Sequence, residues 1–487
     1  MEILASYAGY TLLDLVRSGK TLPIDAVLEI AKQILNQPDP HGEDIERMRL
    51  DSTGTLTFAE SALPKSEPEF YYLLGILLFA LATGIKFEPS FLLDGLPSNV
   101  TLPWFFTHLI DRLTDPIRSE RVIGRPATLQ LLERVTLSRS PYDGPWPCFR
   151  GDQGRTGVIA GPPSPASKMN IFWYRQYPEI LASPILLNAG FLLVVSASGK
   201  LMVVDGTNGT TAMEIEIGVP SESTAALTKE IACLGADDGC LYCIDAQMGK
   251  IQWKHKIGGM IRSSPLTQEG LLFIGTVDAP DQGTLQCIDI QKKKTIWTYR
   301  CGEVFSSPAL CGKSIIVGSD DGSIHSVDIS TGKKIWAFQT EAKVRATPAV
   351  SGDIFVGSFD GCFYCLSADG AVRWKKSTGK PYFSSAACGE KTIACGSHDG
   401  SVYGFDRKTG DIQWKYSSGS SVVSSPVLIG SNVLGASTNG AIFLLDGATG
   451  ACMASIDVGK TIKSSPIITD TTVFLGHEGG FSALILT

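Results

Sequence analysis

From about residue 180 onward, apolar residues either alternate with polar ones or form short unbroken runs, and Gly, Asp, Ser and Thr bound those runs at close intervals. This is the pattern of short β-strands joined by tight turns. It recurs as one unit: S-S-P, an apolar run, G-x-x-D-G, a second apolar run ending near Asp, T-G, and a run that carries Trp. The Gly opening the third strand of each unit falls at Gly199, Gly239, Gly283, Gly322, Gly361, Gly400, Gly440 and Gly480, in steps of 40, 44, 39, 39, 39, 40 and 40 residues. A period of this length built from four short strands predicts a mainly β chain forming an eight-bladed β-propeller.

Turn chemistry supports the same division. Asp238-Gly239, Asp321-Gly322, Asp360-Gly361, Asp399-Gly400 and Asn439-Gly440 supply residues that tolerate positive φ in tight hairpins. The fourth strands carry Trp253, Trp297, Trp336, Trp374 and Trp414, with Met213 and Met453 assigned to the same slot in the first and seventh units. Flat rings at one place in each outer strand are read as structural covers for the seams between blades. The phase matters too: the chain ends in a third strand, Phe481 to Thr487, while Ile171 to Gln176 forms a spare strand before the first unit, with Trp173 on register. That strand is expected to complete the eighth blade, closing the ring and removing exposed sheet edges.

The first 137 residues change character. Leu22 to Leu35 has apolar positions at helical spacing, with Pro23 placed for a first turn. Tyr71 to Ala82 reads as a buried helix too short to cross a bilayer, and further helices are expected at Leu102 to Leu113 and Ala127 to Val135. Residues 138–170, rich in Pro, Gly and Ser, are expected to be an inter-domain tether, giving a helical domain over 1–137 and the propeller over 171–487.

A net charge of −7 and no basic cluster give no electrostatic ground for nucleic acid binding. No signal peptide or membrane-spanning helix is read, so a cytoplasmic location is expected, with the 12 cysteines reduced. The CxxC pairs Cys240/Cys243 and Cys362/Cys365 fall within strands, where residues three apart point to opposite faces, so neither is expected to hold a metal.

The D-x-x-T-G…W series, as in Val327 to Trp336 and Phe405 to Trp414, resembles the PQQ-like (quinoprotein-like) repeat propellers, and Trp146 to Gly157 (WPCFRGDQGRTG) is similar to the W-P-x-F-R-G…R-T-G lead-in of bacterial members. That family includes quinone-dependent dehydrogenases, an outer-membrane assembly lipoprotein and propellers appended to bacterial Ser/Thr kinases. Its dehydrogenases carry long insertions, an adjacent cysteine pair and an export signal. Here the blades are near minimal and no two cysteines are adjacent, so neither PQQ nor calcium is expected, and no catalytic, cofactor-binding or metal residue is assigned. The helical region resembles a degenerate, truncated protein-kinase C-lobe through Tyr7–Val16, His41–Ser61, Tyr72–Gly84 and Leu109–Val135. Asp44 would align with the catalytic Asp, but Glu46 stands where Lys would be, and the D-F-G site reads Glu60-Ser61-Ala62. The resemblance implies a pseudokinase-like remnant.

The expectation is therefore a protein that is not an enzyme: a binding or scaffold protein, in bacterial signalling, whose propeller face takes a protein partner or small ligand. The alternatives are the sensor half of a Ser/Thr kinase whose N-lobe lies outside this chain, and a quinone-dependent dehydrogenase. The candidate binding residues sit in the loops that break the repeat: Ser221 and Glu222 in Val219–Glu222, and Asp278, Asp281 and Gln282 in Asp278–Gln282.

Overall fold

The structure, a computed structural model, describes residues 12, 15, 21–36, 49–50, 56–57, 67–83, 102–114, 125–137, 146–159, 166–228, 231–245, 247–469 and 471–487. The chain divides into two compact units, Met1–Pro141 and Tyr142–Thr487.

The first unit contains four described helices: α1 (Ile24–Leu35), α2 (Glu67–Thr83), α3 (Trp104–Thr114) and α4 (Arg125–Leu137). Helix α1 begins after Pro23, places Asp25 in its first turn and Lys32 in its last, and buries Val27, Ile30, Ala31, Ile34 and Leu35. Proline preset φ and the charges complement the helix dipole, while the buried stripe does the packing. Gly75 of α2 lets α3 approach, since a Cβ there would stand 2.6 Å from Thr114. No described helix is long and apolar enough to cross a membrane. The kinase-like reading of the loop around Asp44, Glu46, Glu60 and Ser61 falls outside the described residues.

The second unit is an eight-bladed propeller. Seven blades are built on four-stranded antiparallel meanders running from inner to outer strand in chain order, and one of them gains a fifth strand from before the ring. The eighth takes Ile467–Thr469, Thr472–His477 and Gly480–Leu486 from the C-terminus and Met169–Gln176 from before the first blade, with Trp173 opposite Ala483. The N-terminal strand thus closes the ring, as the phase of the repeat predicts.

The recurrent S-S-P acquires a physical meaning at the axis. The backbone N–H of Ser183 donates to the Thr224 hydroxyl, Thr224 to Ser264, Ser264 to Ser307, Ser307 to Thr347, Thr347 to Ser385, Ser385 to Ser425, Ser425 to Ser465, and Ser465 back to Ser183, at 2.9–3.3 Å. This cyclic belt of hydroxyls joins all eight blades. The preceding serine holds its own blade instead: Gly318 and Gly396 donate to the hydroxyls of Ser306 and Ser384.

The stretch expected as a tether behaves differently where it is described. Residues 146–159 run around the inner edges of the blades. The N–H groups of Leu186, Leu227, Leu310, Val350, Cys388 and Leu428, one from each of six inner strands, donate to the carbonyls of Trp146, Pro147, Gln153, Gly154, Thr156 and Gly157. Val158–Ile159 then pairs in parallel with Leu428–Ile429. Arg150, 2% exposed, donates to the carbonyls of Pro426 and Ala386; Arg155, fully buried, donates to Phe149, Ser264, Pro265 and Pro308. The inner strands of a propeller are too short to satisfy their own axial edge, and this segment supplies the missing partners. Residues 146–159 thus act as a plug against the inner strands.

The indole N–H groups of Trp173, Trp297, Trp336, Trp374 and Trp414 donate to carbonyls of Gly206, Ile329, Ala368, Arg407 and Gly447 in the turn of the following blade. The glycine of that turn is required: at Gly332, with φ +67°, a Cβ would stand 2.6 Å from the Trp297 ring. In the seventh blade the residue in this register is Ala454, opposite Leu444, rather than Met453. The assignment of Met453 slips by one, and a one-residue slip turns a strand side chain to the other face.

On the third strand of blade 4, His325 Nε2 lies 3.1 Å from Asp321, whose side chain also accepts from the Ser323 N–H at 2.8 Å. Burial by itself would raise the pKa of Asp321, but the His325 imidazole and the N–H groups of Ser323 and Gly302 outweigh it and bring the pKa from 3.8 to about 2. A depressed carboxylate stabilises the fold above its unfolded pKa and loses that contribution as pH falls. Urea unfolding should therefore show stability dropping between about pH 4 and pH 2, and Asp321→Asn should flatten that slope. An unchanged slope would sink the assignment.

Candidate functional site

One position per blade faces the channel immediately before the hydroxyl belt: Leu181, Glu222, Arg262, Phe305, Arg345, Phe383, Val423 and Lys463 all line the same axial cavity of about 170 Å³. The cavity also meets the belt hydroxyls, and the Phe149 side chain of the plug reaches its lining. The blades are near copies of one another, yet this ring carries three cations, one carboxylate and two aromatic rings. Here the repeat loses its symmetry and can recognise something.

The charged groups are held in a network. Arg345 pairs with Asp320 through Nη2 at 2.6 Å and through Nε at 3.0 and 3.1 Å, and Lys343 reaches the same carboxylate at 3.0 Å. The Asp320 side chain is 1% exposed. Burial works against its charge, but Arg345 and Lys343 prevail and hold its pKa below the ordinary value. The Arg345 guanidinium lies 4.1 Å from the Phe305 ring centroid and 5.7 Å from that of Phe359. Two blades away, Arg262 pairs with Glu222 at 3.0 Å and Asp237 at 3.2 Å. Burial raises the pKa of Glu222, with Arg262 opposing it. Lys463 stands 3.7 Å from Glu179. Among the described residues, no cluster of three or more His, Cys, Asp or Glu is placed to hold a metal ion.

The candidate loop residues go to two different places. Glu222 is in the axial ring, while Ser221 is fully buried and donates to the Gly235 carbonyl at 2.8 Å. Asp278 accepts from the Gly259 N–H at 2.8 Å. Asp281, at φ +60°, sits in the hairpin between the second and third strands of blade 3, and Gln282 begins the third strand. Both Asp278 and Gln282 line a separate cleft near the outer part of blades 2 and 3. Loop length does not reveal the other ring residues. The readable signal is the residue preceding each S-S-P, which changes charge and size from unit to unit while its neighbours do not.

The fold and the hydroxyl-belted axis define an eight-bladed β-propeller. More specifically, a family profile described as "Beta-alanine-activating enzyme, beta-propeller" matches residues 180–478, and the chain belongs to that family. A beta-alanine-activating enzyme of Drosophila melanogaster is 30% identical over 109 residues, covering 22% of this chain and 11% of the relative. That of Danio rerio is 28% identical over 103 residues, covering 20% and 9%. The aligned stretch is thus about a tenth of the length of these curated relatives. Among solved structures, BamB from Moraxella catarrhalis superposes with a TM-score of 0.56 at 18% identity, over 66% of this chain and 98% of BamB. Quinohemoprotein alcohol dehydrogenase from Comamonas testosteroni gives 0.62 at 13% identity, over 72% and 84%. These two likenesses show the fold.

The expectation that this protein is not an enzyme is corrected by these matches, because both curated relatives, and the family itself, are named for an enzymatic activity. The missing catalytic constellation within the repeats was the ground for that expectation, and a propeller can form part of an enzyme without holding its reacting groups. The kinase-lobe resemblance of the first 137 residues draws no support from the matches, which concern the propeller.

Proposed function

We propose that this chain provides the propeller of an enzyme of the beta-alanine-activating kind, and that the axial ring binds the small zwitterion for which the relatives are named. The observation carrying this reading is the unequal ring above the hydroxyl belt: cations at Arg262, Arg345 and Lys463, a carboxylate at Glu222, and a cavity of about 170 Å³, which suits a small ligand. A short amino acid carries both charges at its two ends. Its carboxylate would be read by Arg345 and Lys463 and its ammonium group by Glu222, with the belt hydroxyls completing the polar contacts. The network is already assembled in the protein, so little ordering is needed on binding.

Isothermal titration of the full chain with β-alanine tests it. Binding is expected, with at least a tenfold loss in Arg345→Ala and a smaller loss in Glu222→Gln. Propionate, which lacks the ammonium group, should bind more weakly than β-alanine and be indifferent to Glu222→Gln. No binding of β-alanine, or equal binding of propionate, would overturn the reading.

A further inference from the structure

The seam between blades 2 and 3 departs from the paired rings that fill the seams following blades 3, 4 and 6. The third strand normally carries a ring four residues after the turn residue: Tyr242 donates to Asp238 at 2.8 Å, Tyr364 to Asp360 at 2.5 Å and Tyr403 to Asp399 at 2.5 Å, and His325 lies 3.1 Å from Asp321. At three seams such a ring meets another from the outer strand of the preceding blade. Tyr299 and His325 lie 5.6 Å apart between centroids, Phe338 and Tyr364 5.5 Å, and Tyr416 and Phe443 4.9 Å. In blade 3 the position holds Gln286, which turns its amide onto the Ile257 carbonyl at 2.6 Å and the Thr284 hydroxyl at 3.0 Å. Its neighbour across the seam is His255, so one ring of the pair is missing. A cleft of about 860 Å³ stands there, lined by His255, Lys256, Thr284, Gln286, Thr298 and Arg300.

The far side of the seam is loosened as well. The glycine-ended turn that receives Trp173, Trp297, Trp336, Trp374 and Trp414 is replaced by Gln291-Lys292-Lys293, with Lys293 at φ +54°, and a hollow of about 500 Å³ opens beside Trp253. The second and third strands of blade 3 are also the longest of their kind, Leu271–Ala279 and Gln282–Asp289, and their extension carries Asp278 and Gln282 to the rim of the cleft.

We propose that this cleft binds a flat aromatic anion, a carboxylate or phosphate ester, whose ring occupies the place left by the missing tyrosine. The ring would lie against His255 over the Gln286 amide, as the protein's own rings do at the neighbouring seams. The anionic group would lie toward Arg300, an exposed side chain on the outer strand, and Lys256, whose ammonium group otherwise donates to the Asp238 carbonyl. Asp278, the one carboxylate of the lining, is engaged by the Gly259 N–H. The hydroxyls of Thr284 and Thr298 supply further polar contacts. The volume lies in the range of sites that enclose drug-sized ligands.

Titration of the full chain with phenyl phosphate, benzoate, inorganic phosphate and benzyl alcohol decides it. Phenyl phosphate or benzoate should bind at least tenfold more tightly than inorganic phosphate and benzyl alcohol. Which of the two binds better tells ester from carboxylate. Gln286→Tyr, which restores the rule of the other blades, should reduce that binding at least tenfold without lowering Tm. Arg300→Glu, at an exposed position that leaves the fold intact, should do the same and decides the matter if the first variant does not fold. Equal binding of inorganic phosphate, or aromatic-anion binding untouched by Arg300→Glu, overturns the proposal. Arg345→Ala in the axial ring should leave this binding unchanged, so the two sites stand or fall separately.

Discussion

Replacing Arg155 with alanine is expected to destabilise the propeller by about 3–5 kcal/mol, read as a lower urea midpoint. The side chain is fully buried and donates to four carbonyls, those of Phe149, Ser264, Pro265 and Pro308. Burial pulls its pKa below the ordinary guanidinium value, which shows that the charge is held against a desolvation cost. Alanine removes that cost but leaves the carbonyls without donors, at about 1–3 kcal/mol each. It also opens a cavity where blades 3 and 4 meet the plug. Arg155→Met separates these effects: it refills the volume without restoring the donors. A midpoint near wild type for Arg155→Met would show that packing, rather than the hydrogen bonds, holds the plug. A normal midpoint for both variants would remove the plug from the stability of the ring altogether.

The second large effect is expected at the closure. Trp173 is 8% exposed, packs 5.7 Å from Phe481 and 6.1 Å from Phe474 between centroids, and donates to Gly206 at 2.9 Å. It therefore ties the closing strand both to the C-terminal strands of its own blade and to the first blade. Trp173→Ala should cost about 3–5 kcal/mol. The loss has an address: amide hydrogens of residues 472–486, whose ladder ends on the closing strand, should exchange faster than those of blades 4 and 5. Uniform acceleration around the ring would mean that the propeller opens as one cooperative body and that the closing strand is not its weak point. The same substitution at Trp336, which joins two blades far from the closure, is the control.

Much of the fold is legible in the chain because a propeller is local chemistry repeated. Turn pairs such as Asp360-Gly361 fix hairpins within a few residues, and the missing fourth strand at Phe481–Thr487 points to Ile171–Gln176 as its complement. Local pattern misleads where a residue's partner is remote. Trp146 to Gly157 has the composition of a linker because its Gly and Pro suit a turning path, but many of its partners are carbonyls and amides in distant blades, such as Pro265 for Arg155 and Pro426 for Arg150. Met453 looks like the tryptophan equivalent by spacing, yet the turn sets Ala454 in register.

The sequence by itself determined the number of blades and the phase of closure, because the repeat counts its own strands, and most of the residues that make each turn and seam, because these follow from contacts between neighbours in the chain. Only the tertiary structure decided which of the varying residues meet. Glu222, Arg262, Arg345 and Lys463 are separated in turn by one, two and three repeats and converge only because the ring brings one position of every blade to the axis. The cleft at Gln286 stands where the preceding blade offers the His255 ring and blade 3 answers with an amide instead of a second ring. Recognition in a repeat protein rests on departures from the repeat, and their consequences depend on what each departure faces across the ring or the seam.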